Sequence, residues 1–139
     1  MILAIDFDGT IAEHRFPKIG DAVPGAFKWL KKFQEAGALL ILLTMRSDGR
    51  KDGGNYLADA VDFCRANGVE FWAHNTNPEQ ETWTGSRKVY AHAYIDDMAV
   101  GCPLMRTSRD DGDMVDWERV GPIVMDMIEA RRKAFEATS

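Results

Sequence analysis

The sequence predicts one α/β domain built around a mostly parallel sheet, and three observations carry that expectation. Short apolar runs without alternation, such as ILAID (2–6) and ALLILLT (38–44), read as strands buried on both faces. Apolar residues at helical spacing fill the stretches between those runs. Acids and hydroxyls gather where the runs end, which is where an open parallel sheet holds its ligands.

Taken in order, residues 2–6 give the first strand, closed by acids and a glycine. Residues 24–36 (PGAFKWLKKFQEA) give a helix: Ala26, Trp29, Leu30 and Phe33 share a face, Pro24 suits the first turn, and Gly37 suits the position past the end. The second strand is 38–44. Leu57, Ala60, Val61 and Cys64 then form an i, i+3, i+4, i+7 stripe on a helix closed by Gly68. VEFWA (69–73) and HAYID (92–96) give the third and fourth strands. A last helix over 122–137 places Val124, Met127, Ile128 and Phe135 on one side, its methionines filling core space. Residues 74–87 and 102–116 read as loops. Strands alternating with helices predict a Rossmann-like three-layer sandwich, with helices on both faces of the central sheet.

No linker or repeat divides the 139 residues, so residues 1–139 are expected to form one domain with a single core. Hydrophobic content of 45% and charged content of 28% are those of a soluble globular protein. The net charge of −5 argues against a nucleic-acid surface, where a basic patch is expected. Cys64 and Cys102 form no CxxC pair and read as reduced thiols. The opening MILAID is too short for a signal peptide and no apolar run reaches membrane-spanning length, so the expectation is a cytoplasmic protein without a membrane partner.

The chemistry collects at the carboxyl ends of the strands. The first ends in Asp6, with Asp8 after it; the second in Thr44, followed by Met45 and Arg46; the fourth in Asp96-Asp97, with Lys88 a few residues before it. Two carboxylates roughly 4 Å apart repel by about 4 kcal/mol at an effective dielectric near 20. Such a cluster needs a proton or a cation. All-oxygen ligands select a hard ion, and Mg²⁺ is the usual choice beside a phosphate substrate.

DFDGT (6–10), LLT (42–44), Lys88 and IDD (95–97) together resemble the four motifs of the haloacid dehalogenase superfamily, in order and over the whole chain. The resemblance implies a role for each matching position. Asp6 is the nucleophile that forms an aspartyl-phosphate. Asp8 is the general acid and base. Thr44, with the backbone N–H groups around Met45 and Arg46, holds the phosphoryl oxygens, and Lys88 balances charge on the nucleophile and the transferring group. Asp6, the backbone carbonyl of Asp8, and Asp96 bind Mg²⁺, with Asp97 a ligand or an acceptor behind it. Within the superfamily, an acid two residues after the nucleophile resembles the phosphatases and phosphomutases. The spans from Thr10 to Thr44 and from Thr44 to Lys88 leave no room for a cap domain. The implied protein is therefore a capless Mg²⁺-dependent phosphatase of phosphate monoesters, small or macromolecular. Capless members often close their sites on large substrates or by forming homo-oligomers.

Plainer readings stand beside these. An Asp-Gly pair is a common turn, Thr44 alone is an ordinary strand residue, and lysines are usually solvated. Arg46 suits either a bidentate phosphate contact or a structural acid. His14 and Arg15 lie on a presumed flap and read as exposed; His74 and His92 read as ordinary polar or core residues. Trp83 is either a substrate wall or an anchor for its loop. The run DDGD (110–113) lacks calcium-loop spacing and reads as a solvated turn. Rival functions are a nucleotide or nucleic-acid-end phosphatase and a catalytically silent binding protein. A phosphoacceptor signalling domain is excluded by order, because its phosphorylated Asp ends the third strand and here that strand ends in Phe71-Trp72-Ala73-His74.

Overall fold

The structure, a computed structural model, describes residues 1–106 and 112–138. Four parallel strands form the sheet: β1 (Ile2–Ile5), β2 (Leu39–Leu42), β3 (Ala73–His74) and β4 (Ala93–Ile95), in the order β3-β2-β1-β4. β1 is central, pairing Ile2 to Leu39 on one side and Leu3 to Ala93 on the other, and all four of its residues are buried. Its apolar run without alternation is the consequence of that position.

Three helices complete the architecture: α1 (Ala26–Glu35), α2 (Tyr56–Ala66) and α3 (Trp117–Ala137). The β1-α1-β2 and β2-α2-β3 crossovers step the same way along the sheet, so both helices fall on one face. α3 follows β4 back to that face and packs on α1. The main core joins Leu3, Ile5, Leu40 and Leu42 to residues of all three helices, among them Phe33, Cys64 and Trp117. The opposite face carries a smaller cluster of Ile2, Ala4, Ile41, Ala73, Val89 and Ala91. The β3-to-β4 crossover covers it with an irregular segment, 75–91, holding only a 3₁₀ turn at Gln80–Thr82. Helices on both faces were expected; the second layer here is loop.

Two amide side chains substitute for helical backbone in that layer. Gln80 accepts from Tyr90 N at 2.9 Å and donates to the carbonyls of Ser86 (3.2 Å) and Lys88 (3.0 Å). Asn77 donates to Tyr90 O and accepts from Glu79 N, each at 2.9 Å. Both side chains are buried.

Several boundaries differ from expectation for identifiable reasons. VEFWA contributes Val69 and Phe71 to the main core, but regular pairing begins only at Ala73. α3 starts at Trp117 and runs through Pro122, because the Trp117 indole is anchored in the core and its Nε1 donates to Thr10 O at 2.7 Å. Its buried face is Trp117, Val120, Gly121, Val124 and Ile128, whereas Met127 and Phe135 are exposed. α1 begins after Gly25, which takes φ +84°, so Pro24 precedes the helix instead of opening it. The 102–116 stretch contains two antiparallel strands paired with each other, β5 (Leu104–Arg106) and β6 (Asp113–Val115), docked by Val115 N on Gly9 O at 3.0 Å. Of the acidic run at 110–113, Asp110 and Asp111 lie outside the described residues. No helix among the described residues is long and apolar enough to cross a membrane.

Candidate active site

β1 delivers Asp6 to the carboxyl edge of the sheet, where its N–H still donates to Ile95 O at 2.9 Å. The chain then turns sharply, with Thr10, Ile11 and Ala12 N–H groups all converging on Phe7 O. Gly9 makes the turn at φ +83°, and a Cβ there would run into His14 Nε2 and the Asp97 carboxylate. Only glycine fits that approach. The turn also carries the buried Thr10 hydroxyl in between the acids: it donates to Asp6 Oδ2 at 3.0 Å and accepts from Asp97 N at 3.2 Å.

Asp6, Asp96 and Asp97 each offer a carboxylate oxygen, and the three atoms lie within 4.8 Å of one another. Burial, the hydrogen bond with Asp97 and the charge of Asp96 push the Asp6 carboxyl up to about 8, against a partial offset from the Thr10 hydroxyl. Asp97 Oδ2 meets His14 Nε2 at 3.0 Å, and Asp96 Oδ1 accepts from Met98 N at 2.8 Å. Three crowded acids, one with its ionised form disfavoured, fit a hard divalent cation. Both Asp96 and Asp97 belong to the cluster.

The Asp8 carboxylate is elsewhere. Arg46 grips it from both nitrogens of its fork, Nε to Oδ2 and Nη2 to Oδ1, each at 2.8 Å. Arg46 also donates to Pro17 O (3.2 Å), Lys18 O (2.8 Å) and Tyr56 O (3.5 Å), and its guanidinium lies 5.0 and 5.1 Å from the rings of Phe7 and Phe16. These bonds use all five N–H groups, so Arg46 has none to offer a phosphate in this geometry. That corrects the phosphate-binding expectation: the acid was the partner.

The loop after β2 is organised around Thr44. Its N–H donates to Asn75 Oδ1 at 2.8 Å, and its Oγ1 accepts from Arg46 N at 3.1 Å. The Thr44 and Arg46 N–H groups, among the backbone donors near Thr44 expected to hold phosphoryl oxygens, are thus committed within the protein. The Met45 N–H has no protein acceptor among the described residues, while the Met45 side chain points into solvent at 98% exposure. Asn75, in the left-handed region at φ 54°, was not singled out in the sequence; a residue following β3 at the ligand edge was the available signal.

Lys88 is not brought against the acids. Its backbone is fixed by Gln80 and by Ser86 Oγ, and its amine sits 5.8 Å from the centre of the Tyr94 ring, on β4 two residues before Asp96. Among the described residues it makes no ion pair. His14, read as exposed, instead reaches the cluster with a third of its side chain exposed. Trp83 packs edge-on against Tyr90 at 5.4 Å, as an anchor would, with much of its ring exposed. His92 accepts from Ile2 N at 2.8 Å, at the opposite end of the sheet.

A solved structure of a conserved protein coded by a locus of Bacteroides thetaiotaomicron matches with a TM-score of 0.72 and 37% sequence identity, over 91% of each chain. The two chains belong to one family. No protein-family model matches the sequence, and no curated protein does.

Proposed function

We propose that this protein is a Mg²⁺-dependent phosphohydrolase, a capless member of the haloacid dehalogenase superfamily that cleaves phosphate monoesters through an aspartyl-phosphate. The observation that carries the reading is a division among the acids. Asp6, Asp96 and Asp97 crowd together as a cation would require, while Asp8, two residues from Asp6, is held apart with both oxygens engaged by Arg46.

Asp6, Asp96 and Asp97 would hold the ion, which supplies charge neutralisation for a carboxylate meeting an anionic phosphate. An Asp6 oxygen bonds to phosphorus as the ester P–O bond breaks, and Asp8 gives a proton to the departing oxygen. Water then bonds to phosphorus, its proton passes to Asp8, and the bond between phosphorus and Asp6 breaks to restore the carboxylate. The Thr44 hydroxyl and the Met45 N–H face the phosphoryl oxygens, and Lys88 turns from the Tyr94 ring on its flexible stem to meet them.

Hydrolysis of p-nitrophenyl phosphate with and without Mg²⁺, in the wild type and in Asp6→Asn, is the test. Metal-dependent turnover lost in Asp6→Asn is expected. Equal turnover in both proteins refutes the nucleophile.

A further inference from the structure

Arg46 is the most thoroughly bound side chain near the site, and the phosphate reading leaves it without a task. It is 2% exposed, and its charge is met by one carboxylate, that of Asp8. The carbonyls it binds come from Pro17 and Lys18 in the flap (13–21) and from Tyr56 at the start of α2. The flap is itself a small hairpin, closed by Glu13 N on Asp21 O at 2.8 Å, and the ring of Phe16 at its tip lies against the Arg46 guanidinium and meets Tyr56 edge to face. Arg46 therefore joins the β1 turn, the flap, the β2 loop and α2 at one planar group. A lysine could not reproduce that fork.

We propose that Arg46 is a positioning residue that serves the second half of the reaction: it aims Asp8 as the acceptor for the water proton when the aspartyl-phosphate is hydrolysed. The inference rests on the phosphohydrolase reading above. A carboxylate bound side-on by a guanidinium keeps one acceptor lone pair free on each oxygen, and Asp8 remains 20% exposed. In that step the bond from water oxygen to phosphorus forms, the bond from phosphorus to Asp6 breaks, and the water proton goes to Asp8. The first half makes less demand on Asp8 when the leaving group is a good one, such as p-nitrophenolate.

The experiment is pre-steady-state hydrolysis of p-nitrophenyl phosphate in Mg²⁺ by wild type, Asp6→Asn, Arg46→Lys and Phe16→Ala. For Arg46→Lys, kcat falls by ~10²-fold while kcat/KM stays within ~3-fold, because only the hydrolysis half is slowed. A burst approaching one nitrophenolate per enzyme accompanies it, as phosphoenzyme accumulates. Phe16→Ala, at a ring 59% exposed, loosens the clamp without removing charge and shifts kcat the same way by less; it carries the test if Arg46→Lys does not fold. Parallel loss of kcat and kcat/KM without a burst overturns the proposal, as does a raised KM at unchanged kcat, which would make Arg46 a phosphate ligand. A wild type no faster than Asp6→Asn removes the phosphohydrolase reading itself, and this role with it.

Discussion

Replacing Asp6 with Asn should stabilise the metal-free protein while destroying its chemistry. Burial beside Asp96 and Asp97 pushes the Asp6 carboxyl up to about 8 in the folded chain, against 3.8 for an unperturbed aspartate. Between those two values the folded state holds a proton that the unfolded chain has released, so stability falls as pH rises through that window. Each pH unit within it costs about 1.4 kcal/mol, and the loss levels off above pH 8. From 3.8 to pH 7 the cost sums to roughly 4 kcal/mol; at pH 5 it is less than half of that. Asn has no charge to desolvate, and its amide oxygen still accepts from the Thr10 hydroxyl. In EDTA at pH 7, Asp6→Asn should therefore melt roughly 10 °C above wild type. The gap should shrink towards pH 5 and be constant above pH 8. Thermal melts of both proteins across pH 5–9 make the comparison. Coincident curves, or a gap that widens towards acid, would refute the account of Asp6 as a strained carboxylate.

Mg²⁺ should raise the melting temperature of wild type more at pH 8 than at pH 6, since the ion must displace the Asp6 proton; at a hundred times its Kd the gain is about 2.7 kcal/mol. Asp97→Asn should lose most of that gain in the same titration. Gly121→Ala, which ordinarily strengthens a helix, should instead destabilise by about 1–3 kcal/mol in urea unfolding, because a Cβ there would enter the Trp29 ring. Cys64 is fully buried and its thiol is pushed up to about 12 by burial, while partial burial also raises Cys102. A thiol-reactive dye should find no fast-reacting group in the native protein and two in denaturant.

The parts of the fold that the sequence announces are those with local physical causes. β1 and β2 are apolar without alternation because they are buried on both faces, and the α1 stripe of Ala26, Trp29, Leu30 and Phe33 is buried as its spacing predicts. What the sequence conceals depends on distant partners. α3 starts early because Trp117 reaches Thr10 across the chain, and no helix signal encodes that bond. The absence of a helix from 75–91 turns on two amides whose acceptors and donors lie up to thirteen residues away. At the site, strand-end position brings the acids into view, but the choice between phosphate and Asp8 for Arg46 is made by the Phe16-Pro17-Lys18 segment closing over it. His14 reaches Asp97 only because Gly9 clears the way.

The one-sided distribution of the helices divides the molecule into layers of unequal endurance. A helix holds its shape through a ladder of backbone bonds, each redundant with its neighbours, whereas segment 75–91 keeps its shape through Gln80 and Asn77. It is tied to the sheet near its ends, by Asn75 to Leu42 and Thr44 and by Val89 and Ala91 to the Tyr94 hydroxyl. Its release would uncover only the small Ile2, Ala4, Ile41 and Ala73 cluster and leave the main core closed. Such an opening is a sub-global event with its own free energy, below that of unfolding. Lys88 rides on that segment, whereas Asn75 is bonded to Leu42 O and Thr44 N, so such an opening would carry the lysine and leave Asn75 in place beside Asp6, Asp8 and Arg46.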